Sequence, residues 1–144
     1  MNIPNYSGVG IYCITIGTER YIGSSANVRK RLIQHNRDAQ NHIEPAKLQA
    51  AFDSGAEAHV DILLQMDDNT TLWELLQAEQ AAIEAHAPEL NSAPVATVDP
   101  YELIGDEENA IRRYQEAIKR RRESIARIKA RYLTPLGGEK NGPK

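Results

Sequence analysis

Glu79 falls on the apolar stripe of its own segment, with Leu72 seven residues before it, Leu75 four before and Ile83 four after. A carboxylate among aliphatic neighbours needs a cation, a metal ion or hydrogen-bond donors, because an unpaired buried charge is strongly disfavoured. Arg31 and His35 stand four apart and share a helix face with Val28 and Leu32. A guanidinium fork matches a phosphate. Tyr12 and Tyr21 are phenols, and a phenol with a pKa near about 10 is a poor base unless a cation lowers it. Each group also has an ordinary structural reading: Glu79 in an ion pair with Arg31, His35 partly buried on a solvated face, both tyrosines in a core. Taken one at a time, the residues leave both readings open.

The elements that must position these groups follow from pattern. Residues 10–16 are rich in Ile, Tyr and Thr and read as a strand. Gly17-Thr18 suits a two-residue turn, and residues 19–23 return as a second strand. Ser24, Ser25 and Asn27 are candidate caps for a helix over 28–39 whose inner face is Val28, Leu32, His35 and Ala39. Pro45 fits the first position of a second helix that ends before Gly55, with Leu48, Ala51 and Phe52 as its stripe. Val60, Ile62, Leu64 and Met66 alternate with His59, Asp61, Leu63 and Gln65 and predict a third strand with the first four on one face. Thr71 and Glu74 form a capping-box pattern for a third helix, with Leu72, Leu75, Leu76, Ala82 and Ile83 as its apolar face. Two prolines and no clear period make 93–105 a linker. Residues 106–133 read as one long helix, and 134–144, with Gly137-Gly138 and Pro143, as a disordered tail.

Composition bounds the rest. The chain has 144 residues, 41% hydrophobic and 26% charged, enough apolar content for a core and with no repeat or membrane-length apolar run. Cys13 is the single cysteine, so no internal disulfide or thiolate cluster is expected. Residues 1–7 show no signal-peptide pattern, and a reducing, cytoplasmic setting is expected. The formal net charge of -3 hides an asymmetry: residues 1–105 hold 6 Lys/Arg and 14 Asp/Glu (-8), and residues 106–144 hold 11 and 6 (+5).

The run Gly10-Ile11-Tyr12, eight residues, then Tyr21-Ile22-Gly23 resembles the signature of the GIY-YIG nuclease family. The resemblance continues through residues 24–31, with Arg31 at the family's arginine position and His35 one turn later. Lys47-Leu48-Gln49 resembles a common second-helix stretch. Glu79-Gln80 looks like the metal-binding glutamate, and Asn91, soon after Pro88, like the asparagine that closes the motif set. It covers residues 8–92. Ser24 stands where some members carry a lysine, and the stretch from His42 to Lys47 is a residue longer than in many relatives, so His42 is carried over only weakly. The resemblance implies an α+β fold, a small three-stranded antiparallel sheet flanked by helices, as nuclease domain 1–92.

It also implies a metal-dependent DNA endonuclease, similar to the catalytic part of phage and mobile-element homing endonucleases. Glu79 would hold one Mg²⁺ or Mn²⁺, Arg31 would bind the scissile phosphate, Tyr12 would be the general base and Tyr21 would orient water or phosphate. His35 would share the proton transfer, and Asn91 would fix a strand end or touch the phosphate. A repair or recombination nuclease acting on branched DNA is the alternative, and a non-catalytic nucleic-acid-binding module is a third reading. The dense positive charge lies on the last helix: Arg112, Arg113, Lys119, Arg120, Arg121, Arg122, Arg127, Lys129 and Arg131, against two Glu, between 109 and 131. DNA is the expected partner of these nine. Ile111, Tyr114, Ile118, Ile125, Ile128 and Tyr132 follow a 3-4 spacing interrupted by Arg121, so a homodimer through this helix, or packing on the catalytic domain, is also open.

Overall fold

The computed structural model describes residues 1–95 and 98–137. Its elements run β1 (Val9–Ile16), β2 (Glu19–Ser25), α1 (Val28–Gln40), α2 (Ala46–Asp53), β3 (Ala58–Met66), α3 (Leu72–His86) and α4 (Pro100–Tyr132). The chain divides between Val98 and Asp99 into two compact units. All strands belong to the first, an α+β unit. Its sheet has the order β2-β1-β3, and β1 is antiparallel to both neighbours.

β1 is apolar along both faces because helices cover both. Tyr12, Ile14 and Ile16 pack with Val28 and Leu32 of α1 and Leu48 and Ala51 of α2. Val9, Ile11 and Cys13 pack with Ile22 of β2 and Leu75 of α3. The Gly17 turn takes φ +62°, a conformation glycine adopts without steric penalty, and closes the hairpin where the expected turn lies.

The expected alternation of β3 holds only through Ile62. Tyr12 pairs with Ile62 but Ile11 pairs with Leu64, so Leu63 is an extra residue, a β-bulge. Because side chains alternate with a period of two, one extra residue exchanges the faces beyond it. Val60 and Ile62 join the α1 side and Met66 the α3 side, while Leu64 is left largely exposed. Gly10 lies beside this bulge, where a Cβ would collide with the Leu64 carbonyl oxygen.

Asn27 caps α1 through its side chain, which accepts from the Lys30 amide, and Thr71 caps α3 by accepting from the Glu74 amide, as the capping-box pattern predicts. Pro45 is the cap of α2 rather than its first residue. Leu72, expected on the apolar face of α3, is 70% exposed because it opens the first turn, ahead of Leu75, the one buried residue of that helix.

The last helix begins at Pro100, not at 106, and takes in residues 100–105, expected from the sequence to be linker. Asp99 caps it by accepting from the Tyr101 amide, and proline fits the first turn because its missing N–H has no intrahelical partner there. Of the expected disordered tail, residues 138–144 lie outside the described residues. No helix among the described residues is long and apolar enough to cross a membrane.

Candidate active site

Tyr12 sits on the central strand, facing α1. Its hydroxyl lies 2.7 Å from His35 Nε2, and His35 Nδ1 lies 2.6 Å from Glu44 Oε1. His35 is fully buried and Glu44 nearly so. An ionised carboxylate only accepts, so with Glu44 ionised Nδ1 carries the ring proton and donates to it. Nε2 then presents its lone pair, and the Tyr12 hydroxyl donates to it. A buried chain of Tyr12, His35 and Glu44 results, built from β1, α1 and the loop before α2. Tyr21 packs edge-on against the same imidazole, ring centroids 5.5 Å apart. Gly23, opposite Tyr12 in the hairpin, keeps the space for its hydroxyl, since a Cβ there would come within 2.5 Å of the oxygen.

Burial sets the proton affinities. It holds the Tyr12 phenol well above the usual range, with Tyr21 adding to the effect and the Arg31 guanidinium opposing it. Burial also raises Tyr21, again against Arg31. It lowers His35, although the hydrogen bond to Glu44 favours the imidazolium. His35 is thus a neutral acceptor at pH 7, and Tyr12 keeps its proton unless the imidazole takes it.

Glu79 comes from α3 and meets β2 at Ser24. Burial raises its carboxyl above the ordinary value, and the Ser24 hydroxyl and amide offset part of the rise. With Tyr21 and Asn91 it lines a cavity of about 310 Å³. The charges of Tyr21, Arg31 and Glu79 all reach Tyr12, so the four share one electrostatic neighbourhood. Arg31 is not spent on Glu79: its ion pair is a long one, 3.9 Å, to Asp38, and its side chain stays 39% exposed. No group of three or more His, Cys, Asp or Glu is placed to cage a metal among the described residues. One carboxylate at an open cavity suits Mg²⁺, which keeps several waters and takes one or two carboxylates plus substrate phosphate.

Asn91 is brought to the same cavity, but its amide is committed. Oδ1 accepts from the Ile22 amide at 2.9 Å, and Nδ2 donates to the Ile22 carbonyl at 2.8 Å. Leu90 N donates to the Arg20 carbonyl, and Glu89 accepts from the Arg20 amide. Residues 89–91 therefore cover the free edge of β2, and of the two roles open to Asn91 the geometry favours fixing the strand. Asn91→Ala is expected to lower stability by about 1–3 kcal/mol, the range for leaving partners unsatisfied. Urea unfolding checks this, and an unchanged midpoint would remove the edge-clamp role.

His42 is an exposed loop residue at φ 57°, with Nδ1 3.4 Å from Asp53 Oδ1. Glu44 is a site residue that the sequence does not mark. It lies in a loop with no periodic position, and only its nearness in space to His35 identifies it. The nine cationic residues expected to meet DNA are all exposed on α4, in the second unit.

A lone carboxylate that could hold a hard cation, in the same electrostatic neighbourhood as a phenol whose proton has an acceptor, is an arrangement that could serve hydrolysis of a phosphate ester. The comparison with protein families makes that class specific: the family described as GIY-YIG catalytic domain matches residues 9–91, more than half of the chain. The chain belongs to the GIY-YIG family. Its members are nucleases that hydrolyse phosphodiester bonds in DNA, generally with a divalent metal ion. No curated protein and no solved structure matches the chain.

Proposed function

We propose that this chain is a DNA endonuclease dependent on Mg²⁺ or Mn²⁺, with Glu79 as the metal-holding residue and Tyr12 as the general base. The observation that carries the reading is the hydrogen-bonded chain from Tyr12 through His35 to Glu44 beside the Glu79 cavity. As water attacks phosphorus, its proton passes to the Tyr12 oxygen while the Tyr12 proton passes to His35 Nε2. Glu44 stabilises the imidazolium that forms. The bond from phosphorus to the 3′-oxygen breaks, leaving a 5′-phosphate and, once protonated, a 3′-hydroxyl. Arg31 gives charge-assisted hydrogen bonds to the phosphate, strongest as its negative charge grows. Tyr21, on the cavity wall, orients the water. Glu79 would hold the divalent ion, which would supply Lewis-acid stabilisation of the charge that develops on the phosphate and its leaving group.

Nicking of supercoiled plasmid in Mg²⁺ or Mn²⁺, suppressed by chelation, tests the reading. Failure of the folded, DNA-binding wild-type chain to nick in either ion overturns it.

Attraction to DNA has to come from α4, since the first 105 residues carry a balance of -8. Arg113, Arg120 and Arg127 recur every seventh residue and so lie along one side of that helix. Replacing all three by Gln is expected to weaken DNA binding. The slope of log affinity against log salt should flatten by about 0.9 for each phosphate that is no longer neutralised. Fluorescence anisotropy across a salt series measures both, and an unchanged slope would remove these arginines from the interface.

A further inference from the structure

Because α4 starts at Pro100, it carries a seam longer than the one legible from Ile111 onward. Ile104, Ile111, Ile118, Ile125 and Tyr132 recur every seventh residue, with Glu107, Tyr114, Arg121 and Ile128 three residues after the first four. These are the two core positions of a heptad repeat over four heptads. Every apolar member of the seam is more than half exposed, and α4 has no buried residue. The earlier start also gives the helix two electrical ends. Residues 99–108 hold five acids (Asp99, Glu102, Asp106, Glu107, Glu108) and no Lys or Arg, a charge of -5. Residues 109–132 hold nine Lys/Arg and two Glu, a charge of +7.

We propose that α4 pairs with α4 of a second copy as an antiparallel two-helix coiled coil, with residue 116 of each copy at the two-fold axis. Charge complementarity selects the occupant and the direction. A parallel pair would set acidic end on acidic end, with Arg121 facing Arg121 and Glu107 facing Glu107 in the core. The antiparallel pair sets each acidic end on the other copy's basic end. In the full-overlap register Ile104 faces Ile128 of the second copy, Ile111 faces Arg121, Ile118 faces Tyr114 and Ile125 faces Glu107. The Arg121 stem covers Ile111 while its guanidinium reaches one turn further, to Glu107 and Glu108 of the second copy. One flank brings Glu108 opposite Arg122 twice. The other carries Ala110, Ala117 and Ser124, small enough for close approach. Arg113, Arg120 and Arg127 lie off the seam and stay free for phosphates. The pairing does not depend on the nuclease activity.

Sedimentation of the full chain is expected to give a dimer whose dissociation constant rises about tenfold in Glu108→Lys, the scale for turning two flanking ion pairs into repulsions. Adding Arg122→Glu should restore it. Direction is read by oxidising single-cysteine variants, with the wild-type chain, whose Cys13 is buried, as the blank. Ile111→Cys mixed with Arg121→Cys should link as a heterodimer, and neither should link alone. Self-linking of each variant would establish the parallel arrangement and overturn the proposal. So would a wild-type chain that is monomeric at its highest soluble concentration, which would leave another surface or a different protein to cover the seam.

Discussion

Glu79→Ala is expected to abolish cleavage while leaving DNA binding and folding in place. The loss should be at least about 10³-fold, since metal-borne charge stabilisation contributes several kcal/mol and each 1.36 kcal/mol is tenfold in rate. Binding should survive because the cationic residues are on α4, and a metal-free mobility-shift assay reads it separately. Folding should survive for an electrostatic reason. The folded carboxyl is raised above its ordinary value by burial. A raised carboxyl contributes stability below its unfolded pKa, and that contribution is lost as pH rises through the folded one. At neutral pH the ionised Glu79 therefore opposes folding, and Glu79→Gln should melt no lower than the wild type. Partial exposure keeps this gain small. Wild-type cleavage by the alanine variant in Mg²⁺ would remove Glu79 from the site. Equal loss of cleavage and binding would point instead to misfolding.

Much of the site was legible because its departures from pattern are local. Glu79 is conspicuous as a charge at aliphatic spacing, and the hairpin follows from a glycine turn between two runs of strand formers. What could not be read depends on contacts distant in sequence or on one residue of register. The bulge lies within Ile62-Leu63-Leu64, where three apolar residues in a row interrupt the alternation, but only pairing with β1 shows which of them is the extra residue. Pro100 reads as a breaker until Asp99 is seen capping the helix it opens. For Asn91 the resemblance leaves two roles open, strand end or phosphate, and only the contacts of its amide with a residue 69 positions away favour the first. Glu44 has the sequence context of a solvated loop acid, yet its carboxylate is enclosed against His35.

That enclosure underlies the second large expected effect, on proton transfer. Tyr12→Phe removes the hydroxyl that receives the water's proton and should slow single-turnover cleavage by about 10²–10⁴-fold, the span of general-base contributions. Tyr21→Phe should cost less, because no imidazole accepts its proton. His35→Gln should approach the Tyr12→Phe loss, since burial otherwise keeps the phenol protonated. Glu44→Gln keeps an oxygen able to accept from Nδ1 but removes the charge that stabilises the imidazolium. Its loss should be smaller, about a hundredfold, the lower end of the same range. The pH profile separates positioning from mere support of the fold. A lowered His35 places the acid limb of kcat/KM below about pH 6.5, where the neutral ring acquires a proton from solvent and can no longer accept one from Tyr12. Without the Glu44 charge the imidazolium is less favoured still, so the limb should move to lower pH even as the plateau falls. A structural defect would lower the plateau and leave the limb in place. Residues acting as one unit are also strongly non-additive. The double variant Tyr12→Phe with Glu44→Gln should therefore be no slower than Tyr12→Phe alone, because Glu44 acts only through a proton that Tyr12 delivers. Losses that multiply, or a Tyr21→Phe defect larger than that of Tyr12→Phe, would move the base to the cavity-facing phenol and leave the buried chain as a prop for α1.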